Sequence, residues 1–387
     1  MKKTLVALAA LASVSAFAQV TITGNLDFAG ARFGGTMYGN KGITTITTGN
    51  GTSSTSSINF TATEDIGGGT KVTAFYGLDP RTFANDSTTS TMTPGSATAS
   101  PNAVLVTGIT RHEAYVQASG GFGSIKIGAP NAVGLNAVGV STGMGTGVGS
   151  GYGGHSNTQI SRIAPARYSR SARYDSPAIA PGLTASVTYA PGADQAVIDG
   201  TGNTYGAFQA PNARKVTEIG LFYSNGPMNL AYFNQSQAAM TNLPGYYAIS
   251  DTSSGTATYG ATKYNWAAAN YQIGNTTIYA GMGNGQEVQT YAAAGSLYKN
   301  KASRYGFKQT MGALDILVSS TKNVRTLESG TTNINEQTTG LQAVYNLSKT
   351  SAAYLGYEKW DTGAAATTST TTTGIRNITS LGLRKSF

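Results

Sequence analysis

The chain has 387 residues, 40% of them apolar and only 11% charged, with 50 glycines, 22 tyrosines, two histidines, no cysteine and a formal charge of +9. Absence of cysteine excludes a disulfide framework, a thiolate metal site and a cysteine nucleophile, and two histidines leave little for imidazole zinc chemistry. No later segment approaches the ~20 apolar residues of a membrane helix. Low charge with abundant Gly, Thr, Ser and Tyr therefore points to an all-β architecture.

Residues 1–18 read as a secretory signal peptide. Met1, Lys2 and Lys3 form a basic start, Thr4 to Val14 an apolar stretch too short to span a bilayer, and Ala16-Phe17-Ala18 a cleavage site. The remaining domain, residues 19–387, begins at Gln19. Loss of Lys2 and Lys3 lowers the basic count from 26 to 24 against 17 acids, and the charge from +9 to +7.

Alternation begins at once: Val20, Ile22, Leu26 and Phe28 share one face, Thr21, Thr23, Asn25 and Asp27 the other. A period of two is a strand with one apolar and one polar side. Hairpin arms follow at Ile58–Asp65 with Lys71–Leu78, His112–Ala118 with Ser124–Gly128, and Arg167–Asp175 with Leu183–Tyr189. Four more are Glu218–Tyr223 with Asn229–Phe233, Tyr264–Ile273 with Thr276–Met282, Tyr305–Thr310 with Leu314–Ser319, and Leu341–Leu347 with Ala352–Tyr357. A last strand runs from Ile375 to Phe387.

One strand, seven tight hairpins and one strand make sixteen, joined by long polar connections such as Asp86–Asn102 and Asn131–Gln159. Short turns on one rim and long loops on the other are the arrangement of a transmembrane β-barrel with periplasmic turns and extracellular loops. Lipid cannot satisfy backbone N–H and C=O groups, so only a closed sheet serves. A soluble sandwich would need charged outer faces, and these polar faces are mainly Thr, Ser, Asn and Gln, which suit a wet lumen.

At this point four segments resemble the trimeric general porins of Gram-negative bacteria, most closely the beta-proteobacterial type. They are EDIGGGTK over Glu64–Lys71, RHEAYVQASGGFGSIKIGA over Arg111–Ala129, Arg173-Tyr174-Asp175-Ser176-Pro177, and the closing LGLRKSF from Leu381 to Phe387. The resemblance implies an outer-membrane diffusion channel for small hydrophilic solutes and ions. It implies a homotrimer among outer-membrane lipid and lipopolysaccharide, no cofactor, no enzymatic activity, and a terminal Phe387 read by the barrel-assembly machinery. It further implies that the loop after the fifth strand, about residues 130–164, folds inward as a constriction. An alternative is an exported barrel adhesin or receptor-like binding protein with a closed lumen.

That loop contains no acid, and its only formal charge is Arg162, which departs from the carboxylate-bearing loops of the family. By parity, Asp27 points inward on the first strand, Lys71 and Asp79 on the third, Arg111, Glu113 and Gln117 on the fourth, and Lys126 on the fifth. On the sixth, Arg167, Arg173 and Asp175 face in, and Tyr168, Arg170 and Tyr174 face out. Arg111, Lys126 and Arg167 then form a positive ladder opposite the loop, which favours anions. Ser57 and Ala129 stand where the family often has Arg, so the expected preference is weak to moderate.

Two other motifs carry nothing. Gly149-x-Gly151-x-x-Gly154 lacks a βαβ setting and a following acid, and Gly139–Gly143 near His155 lacks the helix of a nucleophile elbow. There is no basic run or basic helix for a nucleic acid.

Overall fold

The computed structural model describes residues 19–36, 42–48, 51–80, 110–152, 166–168, 170–191, 215–238, 258–259, 262–290, 296–328, 330, 332–361 and 374–387. The signal-peptide reading at 1–18 and Arg162 lie outside the described residues, as does the side chain of Arg111. In chain order the strands are β1 (Gln19–Gly35), β2 (Ile43–Thr47), β3 (Ser57–Gly67), β4 (Thr70–Asp79), β5 (Thr110–Gly120) and β6 (Gly123–Ala129). A single described helix, α1 (Val133–Gly139), precedes β7 (Ser171–Asp175), β8 (Leu183–Pro191), β9 (Lys215–Asn225) and β10 (Met228–Gln237). The rest are β11 (Thr258–Tyr259), β12 (Thr262–Ile273), β13 (Thr276–Thr290), β14 (Ser296–Met311), β15 (Leu314–Leu327), β16 (Thr332–Asn346), β17 (Ser351–Asp361) and β18 (Ile375–Ser386).

Among the described residues the sheet has eighteen strands. Two are short additions: β2 lies on the upper part of β1, and β11 pairs with two residues of β13. The other sixteen form a closed antiparallel barrel. Closure comes from β1, which pairs with β18 from Asn25↔Ser386 to Gly35↔Arg376 and with β3 from Gln19↔Thr63 to Asn25↔Ser57. Phe387 completes the seam: its N–H donates to the Gly24 carbonyl at 3.0 Å, and the Gly24 N–H returns to the Phe387 carbonyl at 2.8 Å. A closed ladder leaves no edge and satisfies every backbone group in hydrocarbon.

Burial is inverted relative to a soluble domain. Leu381, Leu383, Ile127 and Met282 are each more than 60% exposed, whereas Glu218 and Thr188 are fully buried and Gln342, Arg304 and Ser380 nearly so. Apolar partners face outward and polar ones inward, as the alternation requires.

Wall height is uneven. β6 and β7 have 7 and 5 residues, while β13 to β16 have 15, 16, 14 and 15. The apolar alternation predicts much shorter arms for these four. Their upper halves carry outward Asn284, Lys299, Lys301, Lys322 and Gln337, all exposed, so the apolar signal stops where the wall rises above hydrocarbon.

The sixth membrane strand corrects a parity assignment. Predicted over Arg167–Asp175, it is β7, only Ser171–Asp175. Arg170 adopts φ 57°, a left-handed conformation that interrupts extended backbone. Parity is lost across it. Tyr168 therefore does not face lipid: it is fully buried, and its hydroxyl donates to Glu218 at 2.7 Å. Arg170 sits exposed at the strand's upper end.

Candidate functional site: the inward loop and the water lane

The bore is shaped by the connection between β6 and β7. Its root is tied down first: the Asn131 N–H donates to Glu113 Oε1 at 2.6 Å, and Asn131 forms a bridge with Arg167, which donates to its Oδ1 at 2.9 Å. From there α1 packs Val133, Ala137 and Val138 against inward Ala231, Phe233, Trp266 and Ala268 of β10 and β12. Val133 fits because the opposing wall residue is Gly220, where a Cβ would lie 2.4 Å from Val133 Cγ1. Met144 then enters a second apolar cluster with Ala29, Leu317, Val344 and Tyr354.

Wall charges grip the loop through its backbone. Glu218 of β9 accepts the Gly134 N–H at 3.0 Å, and Glu358 of β17 accepts the Gly149 N–H at 2.7 Å. Arg304 of β14 donates to the Ser150 carbonyl at 2.6 Å, and Gln342 of β16 to the Val148 carbonyl at 2.6 Å. Gly149 (φ +82°) rests on Gly340, whose missing side chain allows backbone to touch backbone. Burial pushes the Tyr152 phenol up, so it stays neutral where the loop meets β14. A loop without carboxylates thus needs none to stay seated. The wall supplies the charges, and the small loop residues let it approach. Sequence reasoning did not select Glu218, Arg304 or Glu358, although outward Ile219, Tyr305 and Tyr357 beside them already place all three on the inner face.

A second inward segment comes from the first long connection. Residues 51–56 turn into the bore, where the Thr52 carbonyl accepts the Val148 N–H at 2.8 Å and Thr55 bonds Thr146 at 2.7 Å. Asp27 anchors this segment, accepting from the Ser54 N–H at 2.7 Å and from the hydroxyls of Ser54 and Tyr354. Asp27 points inward as expected, yet it has no exposure. The first loop covers it, so it does not line open water.

The remaining expectations divide. The anticipated ladder of Arg111, Lys126 and Arg167 is not one register row: Lys126 pairs across the strands with Arg173, and Arg167 lies beyond the end of β7. Lys126 and Arg173 instead converge on Asp175, at 3.2 and 2.7 Å. Arg173 also donates to the Asn131 carbonyl at 2.8 Å, and with its amide turned to suit, Asn136 accepts from the same guanidinium. Asp79 is inward but buried at the top of β4.

Beyond its root on β5 and β7, the partners of the inward loop lie on β8 to β18, on β1 and on the first-loop segment. What faces them is the inner wall of β3 to β7, continued at its lower end by β8. Its register rows run Thr73–Gln117–Lys126–Arg173–Thr188 and Lys71–Ser119–Ser124–Asp175–Ser186. A cavity of about 300 Å³ opens there between Asn136 of the helix and Arg173, Asp175, Thr184, Ser186 and Phe222. Below the loop, inward Lys71 and Lys308 make no ion pair among the described residues, and Arg384 reaches Ser53 Oγ at 3.4 Å. No cluster suited to a metal occurs among the described residues.

Comparison with known proteins agrees with this geometry. A family model described as Gram-negative porin matches residues 4–365. Among solved structures, the anion-selective porin from Comamonas acidovorans superposes with a TM-score of 0.67 at 16% identity, covering 96% of this chain and 100% of that one. In vitro folded OmpT of Vibrio cholerae, in its trimer form, gives 0.62 at 11% identity, covering 96% and 100%. Salmonella typhi OmpF in complex with daunomycin gives 0.59 at 11% identity, covering 96% and 98%. No curated protein matches. A closed ring that is greasy outside, wet inside and narrowed by its own loop is built to let solutes through, and the chain belongs to the Gram-negative porins, diffusion channels of the outer membrane.

Proposed function

We propose that this channel passes small hydrophilic solutes down their gradients with a weak to moderate preference for anions. The carrying observation is how the inward charges are used. Asp27, Glu218 and Glu358 are buried and spend their lone pairs holding the two inward loops. Asp175 faces two cations, Lys126 and Arg173. Lys71 and Lys308 remain toward water. A lane whose acids are engaged and whose accessible charges include lysines raises the local anion concentration. Selectivity is modest because carboxylates such as Asp65 and Asp315 stand on the same inner face. The description of the Comamonas relative as anion-selective supports this reading.

The channel functions as a homotrimer, as the trimer form of the Vibrio relative suggests, with residues 1–18 removed on export and Phe387 read during barrel assembly. Lipopolysaccharide phosphates meet outward Lys263, Lys299, Lys301 and Lys322 on the tall wall. The adhesin alternative needs a closed lumen, whereas β4 to β6 turn the polar rows Thr73–Gln117–Lys126 and Lys71–Ser119–Ser124 inward below the root of the loop. The test is the reversal potential of single channels in a planar bilayer under a tenfold KCl gradient. We expect a sign reporting chloride preference, reduced in Lys71→Gln and reversed in Lys71→Glu/Lys126→Glu. Cation preference of the wild-type channel refutes the proposal.

A further inference from the structure

Most inward aromatic side chains of the described barrel are covered. Phe233, Tyr264 and Trp266 lie under α1, Tyr354 under Met144, and Tyr168 against Glu218. Phe75 on β4 and Tyr115 on β5 are not among the side chains on which the loop packs. They are direct register partners, and their rings stack with centroids 5.1 Å apart and planes 9° apart. Their inward direction is set by neighbours on the same face. Two residues along β5, Glu113 holds the loop root, and Lys126 Nζ sits 5.6 Å over the Tyr115 ring. Both rings are half-buried, so each keeps apolar surface toward the lane.

Such surface stands out against the rows directly below it, which hold Thr, Gln, Ser and charged side chains. Apolar rings facing water do not stabilise the barrel, and hydroxyl residues would wet the lumen better. One register step below the pair, the row Thr73–Gln117–Lys126–Arg173 brings cations with a donor amide beside them. One step lower stands Lys71. The wall thus presents an apolar aromatic tier immediately above a cationic tier, with Asp175 neutralising only one of the two cations that it touches. A solute that matches both tiers is flat and unsaturated at one end and negatively charged at the other.

We propose that Phe75, Tyr115, Lys126 and Lys71 form a subsite on the lane wall for small aromatic carboxylates. The ring packs against the Phe75–Tyr115 pair, face to face or edge to face, as aromatic pairs do. The carboxylate turns down to the Lys126 ammonium, in exchange for part of its contact with Asp175, and toward Lys71. Binding is weak and reversible, since a channel site has to release its occupant. Its effect is to favour aromatic over aliphatic carboxylates of similar charge.

This subsite rests on the anion preference proposed above, and one set of recordings separates the two. Single wild-type channels are first placed under a KCl gradient, then given benzoate, cyclohexanecarboxylate or acetate on one side at millimolar concentration. We expect chloride preference, and a reduction of current by benzoate at a concentration three- to tenfold lower than acetate requires, with cyclohexanecarboxylate between them. Tyr115→Leu and Phe75→Leu should each bring benzoate towards cyclohexanecarboxylate. Tyr115→Phe, which keeps the ring, should retain the difference. Chloride preference with equal effects of benzoate and acetate overturns the subsite and leaves the anion reading standing. Cation preference overturns both. An unchanged benzoate effect in either leucine variant also overturns the subsite, and if those variants fail to fold, the wild-type series alone decides.

Discussion

Gly149→Ala tests whether backbone contact with the wall is what holds the constriction in place. Gly149 has φ +82°, which an L-residue adopts at a cost of roughly 1–2 kcal/mol. The added Cβ would also lie 2.5 Å from the Gly340 Cα. Carbon–carbon contact needs about 3.5 Å or more, so the loop must retreat by roughly 1 Å. The 2.7 Å bond from the Gly149 N–H to Glu358 then falls outside hydrogen-bond range. A hydrogen bond to a charged group is worth about 1.5–3 kcal/mol, and the Ser319 bond to the Gly149 carbonyl about 1 kcal/mol more. The seated loop therefore loses about 3.5–6 kcal/mol in all. Gly145→Ala is the matched control, since Gly145 has φ +55° but nothing within 4 Å of the added Cβ. It carries the conformational cost without the collision. Recorded in planar bilayers, Gly149→Ala should flicker between the wild-type level and a higher conductance as the loop leaves β16. Gly145→Ala should keep the wild-type trace. Identical noise and conductance in the two variants would refute the argument that the Gly149–Gly340 approach seats the loop.

Other consequences follow from the same structure. Tyr168→Phe removes a hydroxyl that donates to buried Glu218. It should cost about 1–3 kcal/mol, seen as a lower temperature for the mobility shift of the folded barrel on gels, whereas a residue facing lipid would tolerate the change. Leu381→Arg places a charge on the outer face next to hydrocarbon, for about 2–4 kcal/mol of lost stability in urea titrations of bilayer-folded protein. Lys299→Leu, high on the tall side of the wall, should stay within about 0.5 kcal/mol of wild type. Equal penalties for these two would mean that the apolar belt has been placed at the wrong height.

The sixteen membrane strands were legible in the sequence because the two faces of each strand meet solvents of opposite polarity. Leu381 and Leu383 outside, with Ser380 and Gly382 inside, leave no second register that keeps hydrocarbon and water on their proper sides. The same logic fails where one contrast disappears. Above the hydrocarbon both faces of β13 to β16 are polar, so their upper halves carry no apolar period. At Arg170 a single left-handed residue breaks the alternation, and Tyr168 passes from the expected outer face to the interior.

The course of the inward loop belongs wholly to the tertiary structure. Its Gly-rich composition shows only that it can come close to something, not what it touches. Glu218, Glu358 and Arg304 each face inward by parity, yet their work depends on which N–H or C=O a distant loop brings to them. Asp27 shows the same limit from the other side: its direction was readable, but its burial depends on residues 51–56 folding over it. Local alternation determines which way a side chain points, because that is a property of one strand and its two solvents. Whether it ends in open water, under a loop or against an ion depends on segments far away in sequence, and only the closed barrel brings those together.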